Sequence, residues 1–269
     1  MEINQIDKMS QTQKRETLHY ILRNCKHSYP NIKFRYTSAK EVEKIIKSLK
    51  TKNTQGYDEI SVKIQWSAPF ISSPLTYIYN KSLETGIFPS RLKYSTVKPI
   101  YKTGDKLDIA NFRPISLLIS FSKIFEKIIA IRIQEQIVHN LIVANEQDGF
   151  RNNVSTENPT YTLMHEILMA INNKLVVGGI FCDLSKAFDC VNHRILLSKL
   201  EYYGIRVTFR SLIDSYLQER YQRVAIKNKT DNYYSNWELV KHVLQGSIFG
   251  PLLFLLYTRM YPKVPGQYL

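Results

Sequence analysis

An aspartate that follows an apolar, β-branched stretch is the residue best placed for chemistry in this sequence. Asp183 comes shortly after residues 176–180, Val-Val-Gly-Gly-Ile. A short run of this kind predicts a buried strand. A carboxylate that projects from the end of a strand into a cleft can hold a divalent metal ion. The alternative is that Asp183 caps the following helical turn, and the aspartate taken in isolation favours that structural role.

A second segment of interest lies further along the chain. Gln245 and Gly246 open a turn, and the apolar residues that follow, through residue 254, predict a helix. Glycine at such a turn permits close approach of the backbone.

The elements that must position these segments follow from the spacing of the apolar residues. Ser38 and Glu41 have the spacing of a capping box ahead of a helix. Residues 120–140 predict an amphipathic helix, with isoleucine and phenylalanine on one face and lysine and arginine on the other. Residues 98–105 predict an edge strand that runs into a turn. Further segments are predicted as helices over 71–83, with an end near Gly86, and over 158–172, 195–203 and 212–217, and as a strand over 223–227. Helices alternating with a few strands indicate the α+β class.

Charge and composition limit the classes of partner. The formal net charge is +14, and such a surplus favours a polyanion such as nucleic acid over a merely solvated basic surface. The 18 Tyr and 12 Phe residues could stack on bases, although most aromatic residues belong to cores. Three cysteines without a Cys-x-x-Cys pair, a polar N-terminus and no long apolar run predict a soluble, intracellular protein without a membrane partner.

Six blocks together resemble the reverse transcriptases of non-LTR (LINE-like, jockey-like) retrotransposons, in the order in which that family has them. They are 56–60 (Gly-Tyr-Asp-Glu-Ile), 98–105 (Lys-Pro-Ile-Tyr-Lys-Thr-Gly-Asp), 111–117 (Asn-Phe-Arg-Pro-Ile-Ser-Leu), 149–151 (Gly-Phe-Arg), 181–189 around Asp183, and 245–254 after Gln245. The resemblance covers about residues 37–257. It implies a right-hand polymerase fold with fingers over 37–175 and a partial palm over 176–269, the thumb being absent. Residues 1–36 are polar and weakly patterned, which indicates either a leader or the remnant of an upstream domain.

The resemblance also implies a set of site residues. In this family a primer 3′-hydroxyl attacks a deoxynucleotide while two metal ions, Mg²⁺ or Mn²⁺, clamp the reacting oxygens. Asp183 would be the catalytic metal ligand, together with the backbone carbonyl of Leu184. Phe188 would lie beneath the incoming sugar and select deoxynucleotides, although by itself it could equally be a core residue. Gln245 and Gly246 would line the nucleotide and template pocket.

Basic residues complete the set that the resemblance implies. Arg113 and Arg151 are candidates for phosphate contacts in the fingers, since a guanidinium can bind phosphate bidentately; a surface ion pair is their alternative. Lys123, Lys127 and Arg132 give the long helix a basic face that could contact the template, although such faces are more often only solvated. The implied partners are an RNA template, a DNA primer and deoxynucleoside triphosphates.

The sequence departs from the family pattern in several places. Leu244 stands where the family usually has a proline before Gln-Gly, and without the proline ring the φ angle at this position is no longer fixed. Phe249 stands where leucine is usual, which puts a bulkier side chain in a packed position. No acidic residue follows Glu238, so the paired aspartates of the third motif are missing. We therefore expect an RNA-directed DNA polymerase fragment without activity of its own. The alternatives are a non-catalytic nucleic-acid-binding remnant and a translated relic of a mobile element.

Overall fold

The computed structural model describes residues 29–33, 35–49, 56–60, 62–142, 147–149, 155, 157–181, 187–227 and 232–258. In these ranges the chain is a mixed α/β structure, which agrees with the predicted class in its coarse features. Its helices are α1 (Ala39–Lys47), α2 (Ala68–Thr85), α3 (Ser120–His139), α4 (Glu157–Asn172), α5 (His193–Tyr202), α6 (Val207–Leu217) and α7 (Gly250–Thr258). Its strands are β1 (Tyr94–Tyr101), β2 (Phe112–Leu118), β3 (Arg220–Lys227), β4 (Asn232–Tyr234) and β5 (Glu238–Val240), and short 3₁₀ helices cover Val62–Ser67, Ser90–Lys93 and Ile109–Asn111.

The strands form one mixed sheet in the order β2-β1-β3-β4, with β5 also paired to β3. β1 runs antiparallel to β2 and parallel to β3, and β3 runs antiparallel to both β4 and β5. β1 and β2 precede residue 175 in the sequence, and β3, β4 and β5 follow it. One sheet thus spans the boundary that the sequence suggested between fingers and palm.

β1 lies between β2 and β3, but its part from residue 98 onward, which was predicted as an edge strand, pairs with β2 alone among the described strands, so the prediction is confirmed for that part. Proline has no N–H to donate to a neighbouring strand, which is why Pro99 suggested an edge. Pairing between β1 and β3 covers only Tyr94 to Val97, whereas Pro99 lies beyond it, opposite Pro114 of β2. The proline therefore occupies the half of β1 that has one neighbour.

Two helix ends follow from local sequence as predicted. The Ser38 hydroxyl accepts a hydrogen bond from the backbone N–H of Glu41 at 3.2 Å and caps α1. Gly86 ends α2 in the left-handed conformation with φ of 70°. The start of α2 differs from the prediction, because the helix begins at Ala68 and has Pro74 in its interior. A proline in the first turn, Pro69, favours that earlier start, since an N–H is not needed there.

The long helix α3 runs through the hydrophobic core. Its residues Ile124, Phe125, Ile128, Ile129 and Ile133 are fully buried, as the amphipathic pattern predicted. They pack with apolar side chains from the other helices of the main cluster, among them Val42, Tyr79, Leu83, Leu196, Leu212 and Leu253. Among the described helices, none has the length and apolar character that a membrane span requires.

The polar side of α3 is not an open basic face, which corrects the prediction for Arg132. Arg132 is 2% exposed, and its guanidinium donates to both carboxylate oxygens of Glu41 at 2.8 Å. Helix α1, which carries Glu41, covers this side of α3. Arg132 is therefore a buried structural cation rather than a contact for a template.

Residues 176–180 do not form the predicted buried strand. The segment has no regular secondary structure, and Val176 and Ile180 are almost fully exposed. A strand needs a neighbour that satisfies its backbone groups, and none of the described strands pairs with this segment. The preceding helix α4 lies at 157–172 as predicted and contains no buried residue. The apolar β-branched character of 176–180 therefore does not translate into burial here.

Candidate functional site

The turn at Gln245 and Gly246 lies against the edge of β2. The backbone carbonyl of Gln245 accepts a hydrogen bond from the N–H of Ser116 at 2.8 Å. Gly246 has φ of 105°, and a Cβ at this position would lie 2.9 Å from the carbonyl oxygen of Ser116. Only glycine fits both the backbone conformation and the close approach. The close approach at Gly246 is to the backbone of β2, and the nucleotide and template pocket that the resemblance implies for Gln245 and Gly246 stays a prediction.

A buried carboxylate from α3 holds the residues that follow this turn. Glu126 Oε2 accepts hydrogen bonds from the backbone N–H groups of Ile248 at 2.9 Å and Phe249 at 3.3 Å. Its other oxygen accepts a hydrogen bond from the Tyr216 hydroxyl at 3.1 Å. Burial raises the pKa of the Glu126 carboxyl, and the nearby guanidinium of Arg220 opposes that rise.

Sequence reasoning did not identify Glu126. One signal could have indicated it, since Glu126 is the single acidic residue in the stretch 121–133, whose other residues are apolar or basic except Ser122. An acidic side chain in a helix that the core surrounds has to meet hydrogen-bond donors, because a buried polar group is otherwise strongly destabilising.

The start of α7 is fixed by a serine in the same segment. The Ser247 hydroxyl accepts a hydrogen bond from the N–H of Gly250 at 2.9 Å and donates one to the carbonyl of Leu244 at 2.9 Å. The turn, its cap and the apolar helix therefore form one unit, as the sequence predicted for residues 245–254. Glu126 and Ser116 attach this unit to α3 and to β2.

The residues just after the aspartate segment contact the same unit. The rings of Phe188 and Phe254 of α7 lie with centroids 5.2 Å apart, and Phe188 is partly buried. Asp189 Oδ1 lies 3.4 Å from Nδ1 of His242, a few residues before Gln245. These contacts place the turn at 187–190 beside the second segment. Asp183 and Leu184 themselves lie outside the described residues, as does Arg151.

The remaining basic candidates differ in accessibility. Arg113 is exposed on β2, opposite Ile100 and three positions from Ser116, which is about 10 Å along a strand. Lys123 is partly buried, and that burial lowers its pKa. Lys127 is also partly buried, and its Nζ donates to the Ser48 hydroxyl at 2.8 Å. Arg113 is thus the most accessible of the basic residues predicted to contact nucleic acid that the structure describes.

Within the described ranges, no group of three or more His, Cys, Asp and Glu side chains could hold a metal ion. The metal role that the sequence suggests for Asp183 and Leu184 concerns residues beyond those ranges. It stays a prediction.

Comparisons with known proteins agree with this arrangement. Residues 100–263 match the family model described as reverse transcriptase (RNA-dependent DNA polymerase). The chain is 33% identical over 237 residues to the probable RNA-directed DNA polymerase from transposon BS of Drosophila melanogaster, covering 85% of this chain and 25% of that protein. It is 30% identical over 225 residues to the RNA-directed DNA polymerase from mobile element jockey of the same species, covering 82% and 24%.

The chain therefore spans about a quarter of the length of these two curated relatives. The region that the family model matches includes β2, the aspartate segment and the turn at Gln245. Family model and relatives confirm the resemblance to LINE-like, jockey-like elements that the motifs suggested. This chain belongs to the reverse transcriptase (RNA-dependent DNA polymerase) family, in its non-LTR retrotransposon branch.

Proposed function

We propose that this chain contributes the template-binding and nucleotide-binding surfaces of an RNA-directed DNA polymerase of a mobile element. The observation that carries the proposal is the family match over residues 100–263, which includes both segments identified from the sequence. The geometry supports it, because the Gln245–Gly246 turn is held against β2 by Ser116 and against α3 by Glu126. Arg113 lies on the same strand as Ser116 and is open to a phosphate.

The chemistry of such a polymerase is attack of a primer 3′-hydroxyl on the α-phosphate of a deoxynucleotide. Reverse transcriptases generally use divalent metal ions for it, and the ions stabilise the attacking and leaving oxygens. In our proposal Asp183 and the carbonyl of Leu184 are ligands to Mg²⁺ or Mn²⁺. Each ion needs several oxygen ligands, and Asp183 supplies a single carboxylate. A polypeptide of these 269 residues is therefore expected to bind nucleic acid without extending a primer.

The nucleotide pocket in this proposal is formed by Gln245, Gly246 and Phe188. The positive φ of Gly246 allows the turn to present backbone groups close to β2, where a larger residue would collide. Phe188 packs against Phe254 and is only partly buried, so part of its surface remains accessible to a sugar. A core phenylalanine would also pack against Phe254 in this way. A residue that selects deoxynucleotides needs, in addition, the part of the ring surface that stays accessible.

The division into fingers over 37–175 and palm over 176–269 is also part of the proposal. β3 pairs with β1 across that boundary, so these two parts share one sheet. A shared sheet would transmit a displacement of β2 and Arg113 to the strands that precede the Gln245 turn.

Binding to an RNA–DNA primer–template with a single-stranded RNA overhang tests the proposal. Fluorescence anisotropy should show binding that weakens steeply with salt, because each neutralised phosphate of a single strand contributes about −0.7 to the log–log slope. Replacing Arg113 by Ala should weaken binding equally for all sequences and make the slope shallower. Binding that does not respond to salt would contradict the proposal. A non-catalytic remnant would show the same binding, so primer extension is needed to separate the two functions.

A further inference from the structure

The sheet carries a cluster of aromatic side chains around one arginine, which we call the aromatic platform: Tyr57, Tyr94, Tyr221, Arg223, Tyr234 and Trp237. Tyr94 of β1 and Tyr221 of β3 are paired in the sheet, and their rings stack with centroids 5.3 Å apart. The Trp237 ring stands perpendicular to Tyr94 at 5.1 Å and to Tyr57 at 5.8 Å. The cluster therefore joins β1, β3 and β4 to the turn at 56–60 and to the loop that precedes β5.

Arg223 lies between two rings of the platform. Its guanidinium carbon is 4.1 Å from the centroid of Tyr234 and 4.7 Å from that of Trp237. Among the described residues, no carboxylate lies within 4.0 Å of this guanidinium, and its buried Nε makes no hydrogen bond. The rings orient the cation by cation–π attraction but do not neutralise it. Its charge is available to an anion.

The platform is open to solvent and continues into further positive charge. Tyr234 is 48% exposed and Trp237 is 37% exposed. Side chains alternate between the two faces of the sheet along a strand, so Lys98 and Ile100 of β1 lie on the same face as Tyr94. Arg113 of β2 is paired with Ile100 and therefore lies on this face too. Both cations are exposed. Aromatic surface interleaved with basic side chains is complementary to bases and phosphates together.

We propose that the aromatic platform binds single-stranded nucleic acid, with a base stacked on Trp237 or Tyr234 and a phosphate held by Arg223. The inference rests on the proposed function and adds the location and the mode of contact. A single strand is favoured over a duplex because its bases are free to leave their own stack and pack on a protein ring. Lys98 and Arg113 continue the path of positive charge from the platform towards the Gln245 turn.

The two tryptophans provide a direct optical test. Trp66 is 82% exposed and is not part of the platform, so a Trp66→Phe protein reports on Trp237 alone. Titration with oligo(rU) and oligo(dT) should quench Trp237 fluorescence over the same concentrations at which the anisotropy of a labelled oligonucleotide rises. A duplex of the same length should bind through its phosphates without this quenching.

Substitutions test the same contacts independently of the optical signal. Trp237→Ala should weaken single-strand binding about 10-fold or more, the effect typical of losing one stacked base, whereas the matched control Trp66→Ala should leave it unchanged. Arg223→Gln should weaken binding and make its salt dependence shallower. Tyr234→Ala provides a second exposed position if Trp237→Ala lowers the stability of the sheet.

The outcomes separate this inference from the proposed function. The platform proposal would be overturned if binding depended on salt but did not quench Trp237, and if the Trp237→Ala and Tyr234→Ala proteins kept full affinity. That result would leave the proposed function standing. Equal quenching by single strand and duplex would overturn the preference for single strands. Absence of any nucleic-acid binding by the wild-type protein would overturn both proposals.

Discussion

The carboxylate of Glu126 accepts a hydrogen bond from the backbone N–H of Ile248 at 2.9 Å and so connects the core of α3 to the segment that carries Gln245. Removing the carboxylate would leave the N–H groups of Ile248 and Phe249 buried without partners, at about 1–3 kcal/mol each. Glu126→Ala should therefore lower the free energy of unfolding by about 2–5 kcal/mol in urea titrations. Glu126→Gln keeps one acceptor oxygen and should lower it less.

The matched control for this prediction lies on the same helix. Glu135 is exposed and pairs with the exposed Arg35. Glu135→Gln should leave the unfolding free energy unchanged. A Glu126→Ala protein as stable as the wild type would show that these hydrogen bonds do not hold the turn.

Glu126 also predicts a pH dependence of stability. Burial raises the pKa of this carboxyl, so the folded state keeps its proton to a higher pH than the unfolded state does. The contribution of Glu126 is therefore largest below about pH 4.3, the pKa in an unfolded chain, and declines as the pH rises towards the folded pKa. The difference in unfolding free energy between wild type and Glu126→Gln should fall from pH 4 to pH 8. A difference that grows over this range would contradict the assignment.

The ion pair between Arg132 and Glu41 has the opposite dependence. The hydrogen bond from Arg132 lowers the pKa of Glu41, so this contribution is complete above about pH 4.3 and is lost as the pH falls through the lowered value. At neutral pH, Glu41→Gln leaves the Arg132 cation buried without a counter-charge and should cost about 3–5 kcal/mol. Glu84→Gln, in the exposed pair with Lys81, should have no measurable effect in the same unfolding assay. Equal effects of both substitutions would contradict the burial of Arg132.

Gly246 should be intolerant of a side chain. Alanine there would have an unfavourable φ of 105° and a Cβ only 2.9 Å from the Ser116 carbonyl oxygen, which requires the turn to move away from β2. Gly246→Ala should lower the unfolding free energy by about 1–3 kcal/mol. It should also speed hydrogen exchange at the Ser116 amide, which bonds to Gln245. Gly178→Ala is the control, since a Cβ there meets nothing within 4 Å. Unchanged exchange at Ser116 in the Gly246→Ala protein would refute the close approach.

Local patterns predicted the helices and their caps well, because those features depend on residues near each other in sequence. Ser38 with Glu41, the apolar face of α3 and the stop at Gly86 are examples. The order of the motif blocks was sufficient to identify the family. The helix signals and each single motif block are contained in a short stretch of chain.

What the patterns could not show depends on partners that are distant in sequence. The periodicity of α3 separates apolar from polar positions, yet it does not reveal that α1 covers Arg132 or that Glu126 meets Ile248. Residues 176–180 have the composition of a strand, but a strand also requires a neighbour to pair with. The aromatic platform arises from the parallel register of β1 and β3, which brings Tyr94 beside Tyr221.

Primer extension on an RNA template tests the central claim, that this chain belongs to a polymerase whose chemistry depends on Asp183. The protein to measure is this chain extended at its C-terminus by a segment that supplies the paired aspartates of a reverse transcriptase. It is compared with its Asp183→Ala variant, with Glu84→Ala, which removes an exposed carboxylate of α2, as the control, and with the 269 residues alone. The readout is deoxynucleotide incorporation on poly(rA) primed with oligo(dT) in the presence of Mg²⁺ or Mn²⁺.

Incorporation is expected from the extended protein and from its Glu84→Ala form, and none from the Asp183→Ala form or from the 269 residues alone. Incorporation that survives Asp183→Ala would contradict the metal role of Asp183. Incorporation by the 269 residues that is lost on Asp183→Ala would contradict the need for further carboxylates.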